Sequence, residues 1–127
     1  MAGKIVADTL EHSTAGSIAT NYVVEGSAKE WINLNGTGTI AVRDSFNVAS
    51  ITDNGTGIYR VNLSNSMSGN DNMSPNCNCE QTAGGYNRSA SSSTTSTSYS
   101  DVRTFNTDTN ALFDALYVYH SMDGELA

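Results

Sequence analysis

The sequence predicts an all-β fold, an antiparallel β-sandwich or jelly-roll-like domain. Serine, threonine and asparagine supply most of the polar residues, and these favour turns and strand surfaces over helix interiors. Short apolar runs alternate with a period of two. Between such runs stand Asn35-Gly36 and Asn54-Gly55, the preferred pair for tight hairpin turns because both residues tolerate positive φ. At 127 residues the chain is one domain by length, large enough to bury about two thirds of its unfolded surface. A hydrophobic fraction of 38% and a mean hydropathy of −0.33 keep its core modest.

Two short apolar stretches, residues 4–10 and 17–24, flank a polar link at 11–16. Their alternation is weak, and residues 1–24 are too sparse in hydrophobes to fold alone, so a partner is expected to order them. Residues 28–34 form the first clear strand, ending at Asn35-Gly36, and residues 39–43 return as its hairpin mate. A third run, 45–51, alternates through Phe46 and Val48 with one slip of register before Ile51. Asn54-Gly55 then leads into residues 57–63, where Tyr59, Val61 and Leu63 share a face. Asn35-Gly36-Thr37-Gly38 and Asn54-Gly55-Thr56-Gly57 are identical tetrapeptides, each preceding a strand, which makes successive antiparallel strands the expectation.

Residues 65–75 read as a loop, 76–81 as a strand, and 86–90 as another after Gly84-Gly85. Ten of the twelve residues from Ser89 to Ser100 are Ser or Thr, a tract that suits either a flexible linker or an exposed strand. Residues 101–105 lack a simple period. The last strong element, 111–122, alternates Leu116, Val118 and His120 against Ala115, Tyr117 and Tyr119, and ends at Asp123-Gly124. Residues 110–116 alone also fit a helical turn.

A formal charge of −7, with no Lys/Arg cluster, argues against nucleic acid and against anionic membranes. No apolar run reaches the roughly 18 residues that cross a bilayer, so no membrane insertion is expected. The N-terminal residues lack an apolar signal core, so cytoplasmic synthesis is expected. Cys77 and Cys79 are too close on an extended chain for an unstrained bridge and read as small hydrophobes of a strand. No second Cys or His pair stands near them to complete a metal site.

His12 and His120 are the only side chains with an ordinary pKa near neutrality, and neither has an Asp or Cys at a spacing that would orient it. No catalytic residue, cofactor or metal ligand is therefore assigned. Asn106–Asn110 fails the EF-hand pattern, which needs glycine and glutamate where Ala111 and Tyr117 stand. Oxygen-rich Asn70-Asp71-Asn72 and Asp108 leave an irregular calcium site open. Trp31 and Tyr59 are expected in the core. Tyr86 and Tyr99, set among Gly and Ser, are the candidates for an exposed recognition surface.

Lys29-Glu30-Trp31-Ile32-Asn33-Leu34-Asn35-Gly36-Thr37-Gly38-Thr39-Ile40-Ala41-Val42-Arg43-Asp44-Ser45-Phe46-Asn47-Val48, followed by Ile51-Thr52-Asp53-Asn54-Gly55-Thr56-Gly57 and Tyr59-Arg60-Val61-Asn62-Leu63, resembles a β-rich module of tail-fibre and other virion structural proteins of tailed phages, the marine and cyanophage type. The likeness covers about 36 residues, with looser likenesses at 4–10 and 117–119, and stops short of 65–109. The resemblance implies a homotrimeric, non-enzymatic virion component, a short fibre, spike or capsid decoration protein. It implies residues 1–26 as an extended N-terminal anchoring segment, with Ile5, Val6 and Leu10 facing capsid, collar or tail proteins. Residues 27–127 would be the displayed sandwich, open to contact with a host surface glycan. The competing reading is a free carbohydrate-binding or receptor-recognition module using Tyr86, Tyr99 or Trp31.

Overall fold

The computed structural model describes residues 3–81 and 88–127. Eight strands build the main body: β3 (Glu30–Asn35), β4 (Ala41–Phe46), β5 (Val48–Asp53), β6 (Ile58–Leu63), β7 (Met73–Glu80), β8 (Arg88–Ser93), β9 (Tyr99–Asn106) and β10 (Tyr117–Gly124). They form two four-stranded sheets, ordered β4-β3-β10-β7 and β5-β6-β9-β8, and every pairing is antiparallel.

Alternation decides what faces inward. On β3, Glu30, Ile32 and Leu34 are buried while Trp31, Asn33 and Asn35 face out. On β6 the buried set is Tyr59, Val61 and Leu63, as the sequence predicts. Ile32, Leu34, Cys79 and Val118 of one sheet meet Tyr59, Val61 and Val102 of the other in a single apolar cluster, so the sheets are the two layers of a sandwich. A smaller cluster of Leu63, Met67 and Met122, with Met73 against it, closes one end. Trp31 belongs to neither: it is 39% exposed, because it shares strand parity with Asn33 rather than with Ile32 and Leu34. The expectation that it fills the core is corrected.

The slip of register before Ile51 is a β-bulge, where the pairing of β5 with β6 shifts between Val48 and Ser50, and the run 45–51 is itself divided between the two sheets. The chain leaves β4 and enters β5 through Asn47, whose φ of 57° lies in the left-handed region that asparagine tolerates. Its Oδ1 accepts a bond from the Asn65 amide at 2.8 Å and its Nδ2 donates to Asn65 O at 3.1 Å, which pins this corner to the start of the next crossover. The Asn-Gly pairs also act differently from a two-residue turn. Gly36 has no positive φ and is buried beneath the Tyr59 ring, where a Cβ would collide with that ring and with Ala115 O. The left-handed residue of the β3–β4 loop is Gly38, φ 62°, and in the β5–β6 loop Gly55 and Gly57 take that role.

The Ser/Thr tract divides between β8, a connection over 94–98, and the start of β9. Residues 65–75 contain a 3-10 turn, Asn70–Asn72, and β7 begins within them at Met73. Residues 110–116 form no helix. They run alongside β9, with a Leu112–Phe105 bridge and a bond from Phe113 N to Thr104 O.

The N-terminal residues are a small folded unit rather than an extended segment: a hairpin of β1 (Thr9–His12) and β2 (Gly16–Ala19), then helix α1 (Thr20–Gly26). Thr20 binds back to Asp8 O and Ala7 O. No residue of α1 is buried. The chain then joins the sandwich at Lys29, whose N donates to Met122 O at 2.7 Å.

Candidate functional site

Three places bring together side chains that carry chemistry. The first lies inside the sandwich. Alternation sends Glu30, His120 and Ser100 inward from β3, β10 and β9, and the two-layer packing brings them into line. Ser100 Oγ stands 3.2 Å from His120 Nε2, and His120 Nδ1 stands 2.8 Å from Glu30 Oε2. Hydroxyl, imidazole and carboxylate thus follow the order of a hydrolytic triad. Glu30 and Ser100 are 0% exposed and His120 2%, so no acyl group reaches the hydroxyl. Along β10, His120 sits between Val118 of the large apolar cluster and Met122 of the small one. The row is a polar tie across the core, linking both sheets. Glu30 Oε1 has no partner among the described residues.

Sequence reasoning found no orienting acid for His120 because Glu30 lies 90 residues away in the chain. Only the pairing of β3 with β10, the first and last strands of the sandwich, brings the two together. His12 is exposed, and its Nδ1 accepts from the amides of Thr14 and Ala15, as a turn residue does.

The second place is the polar outer face of β5-β6-β9-β8. Arg60 makes a two-pronged bond to Asp101, at 2.7 and 2.9 Å, and its guanidinium lies 3.7 Å from the centre of the Tyr99 ring. Tyr99 is half-buried, with the Arg60 guanidinium over one ring face. Tyr86 lies outside the described residues.

The third place is the N-terminal unit. Ile5 is 90% exposed and Val6 81%, and Leu10, Ile18, Tyr22, Val23 and Val24 are exposed as well. Ile5, Val6, Leu10, Val23 and Val24 line a groove of about 430 Å³ between the incoming chain and α1. Here the structure does collect the sequence-predicted anchor residues Ile5, Val6 and Leu10 into one apolar surface.

Both thiols are free and face inward from β7, and Cys79 Sγ donates to Ser89 O. Burial pushes both thiols up from their ordinary range, which lowers their reactivity. The described residues hold no group of three or more His, Cys, Asp or Glu side chains placed to share a metal ion. No helix of the described residues is long and apolar enough to cross a membrane. Comparison of the chain with protein-family models, with curated proteins and with solved structures gives no match.

Proposed function

We propose that the protein is a non-enzymatic structural component of a phage virion, a short fibre or spike or a capsid decoration protein. It assembles in the host cytoplasm as a homotrimer, attaches to capsid, collar or tail proteins through its N-terminal unit, and displays the sandwich outward. The observation that carries this reading is the division of apolar surface along the chain. From Glu30 onward the chain builds both apolar clusters and leaves Trp31, Val42, Phe46, Leu112 and Leu126 exposed, whereas residues 3–26 contribute no side chain to either cluster and leave seven large hydrophobes exposed. Exposed apolar surface that is gathered rather than scattered marks an interaction site. A non-enzymatic role is supported by the sealing of the Ser100–His120–Glu30 row.

The test is a charge placed in the N-terminal groove. Val23→Asp with Val24→Asp is expected to leave the thermal unfolding of the sandwich unchanged while abolishing self-association and particle attachment. Retained assembly in that variant overturns the anchoring role.

A further inference from the structure

We propose that the outer face of β3, β10 and β7 is a binding groove for a neutral oligosaccharide. The register fixes what stands there. Ser121 of β10 lies between Trp31 and Asn76, and Tyr119 lies between Asn33 and Asn78. These six side chains line a shallow groove of about 360 Å³. Directly opposed residues on one sheet face have Cβ atoms about 5 Å apart, the scale of a single pyranose ring.

The chemistry matches a sugar at both of its surfaces. Trp31 and Tyr119 offer flat apolar area for the C–H face of a pyranose. The neighbouring Tyr117 is already covered by Arg43, at 4.2 Å from its ring centre. Around the rings stand three carboxamides, each able to donate and accept, which is what vicinal hydroxyls require. Two of them are held with their donors free. Asn78 Oδ1 accepts from the Cys79 amide at 2.8 Å and Asn33 Oδ1 from Arg43 at 3.4 Å, while Nδ2 of Asn33, Asn76 and Asn78 donates to nothing among the described residues. A mostly apolar recess with a few fixed polar groups is the usual form of a small-ligand site.

Charge selects a neutral ligand over a second copy of this chain. Asp44, Glu80 and Asp123 edge the same face and outnumber Arg43 there, and the chain carries −7 overall. Two such faces brought together would set like charges against one another, and an anionic sugar would meet the same field. The inference rests on the sandwich alone and holds whether or not the chain belongs to a virion.

Trp31 is the protein's single tryptophan, so its fluorescence reads the groove directly. The intact chain is titrated with maltohexaose, cellohexaose, N-acetylchitohexaose and mannohexaose, and is screened in parallel on a neutral-glycan array. At least one is expected to give a saturable blue shift. Calorimetry with that sugar is expected to show binding at least about tenfold weaker for Trp31→Ala, and about 3- to 10-fold weaker for Asn76→Ala. Asn62→Ala, on the opposite sheet, should bind like the parent, and all three variants should keep the parent's circular dichroism. The absence of any saturable shift and of any array signal overturns the proposal, as does binding that survives Trp31→Ala. A blue shift that grows with protein concentration without sugar, and is lost in Phe46→Ser, overturns it in favour of a second copy on this face.

Discussion

Replacing Glu30 with alanine removes the carboxylate that holds His120 Nδ1 at 2.8 Å, at a place where both side chains are 0% exposed. Taking one partner from a buried, hydrogen-bonded pair costs about 3–5 kcal/mol, because the other is left without water or partner. His120→Ala should cost at least as much, since Glu30 Oε1 already lacks a partner and Oε2 would lose its own. Against a typical total of about 5–15 kcal/mol, either change removes a large share of the stability. It should lower Tm by about 10 °C or more at this chain length. The double variant Glu30→Leu/His120→Leu should lie within about 1 kcal/mol of the parent or above it, because a matched apolar pair needs no desolvation. The assay is urea unfolding at fixed protein concentration, followed by far-UV circular dichroism and by the fluorescence of Trp31. A double-mutant cycle through the two leucine variants should give a coupling above about 2 kcal/mol. Single-variant losses below about 1 kcal/mol with an unchanged urea slope would refute the view of a sealed polar tie.

Other expectations follow from the same packing. Burial, and secondly the Asp114 carboxylate, push the Tyr59 hydroxyl up to about 12, so the folded state keeps a proton that the unfolded state loses above pH 10. The stability tied to this group is fully present below pH 10. It falls by about 2–3 kcal/mol as the pH rises to about 12, a loss that Tyr59→Phe should abolish in alkaline melts. Gly57→Ala should cost about 2 kcal/mol or more, since φ is +65° and a Cβ would lie 2.7 Å from both Phe113 O and Thr104 O. Gly55→Ala, with φ +117° but open space around it, should cost less in the same denaturant titration. With their thiols pushed up by burial, Cys77 and Cys79 should react with a thiol reagent at pH 8 far more slowly in the native chain than in 6 M guanidinium.

The strands were legible where alternation meets a one-sided core. β6 was read with the correct inward face because Tyr59, Val61 and Leu63 alternate with polar or half-exposed neighbours. The same rule, applied to β3, would have placed Trp31 outward with Asn33 and Asn35, but its size suggested the core. The register slip before Ile51 was legible and is the β-bulge between Val48 and Ser50, whereas the sheet change at Asn47 was not, because Phe46 and Val48 keep the period of two across it. The Asn-Gly pairs signalled turns correctly but not their type. The Gly36 position is set by the close approach of Tyr59, a contact 23 residues distant. The Glu30–His120 pairing was invisible for the same reason. It depends on which strands become neighbours, and no local pattern encodes that. The exposure of Ile5, Val6 and Leu10 was legible, since these apolar residues have too few apolar neighbours in sequence to bury them.

The central claim is that the exposed apolar surface of residues 3–26 is covered by other copies of the chain before it meets the particle. The most direct measurement is the mass of the intact protein by light scattering across a hundredfold range of concentration. The account predicts a constant mass of three times 13.4 kDa. A clean monomer throughout that range would contradict it.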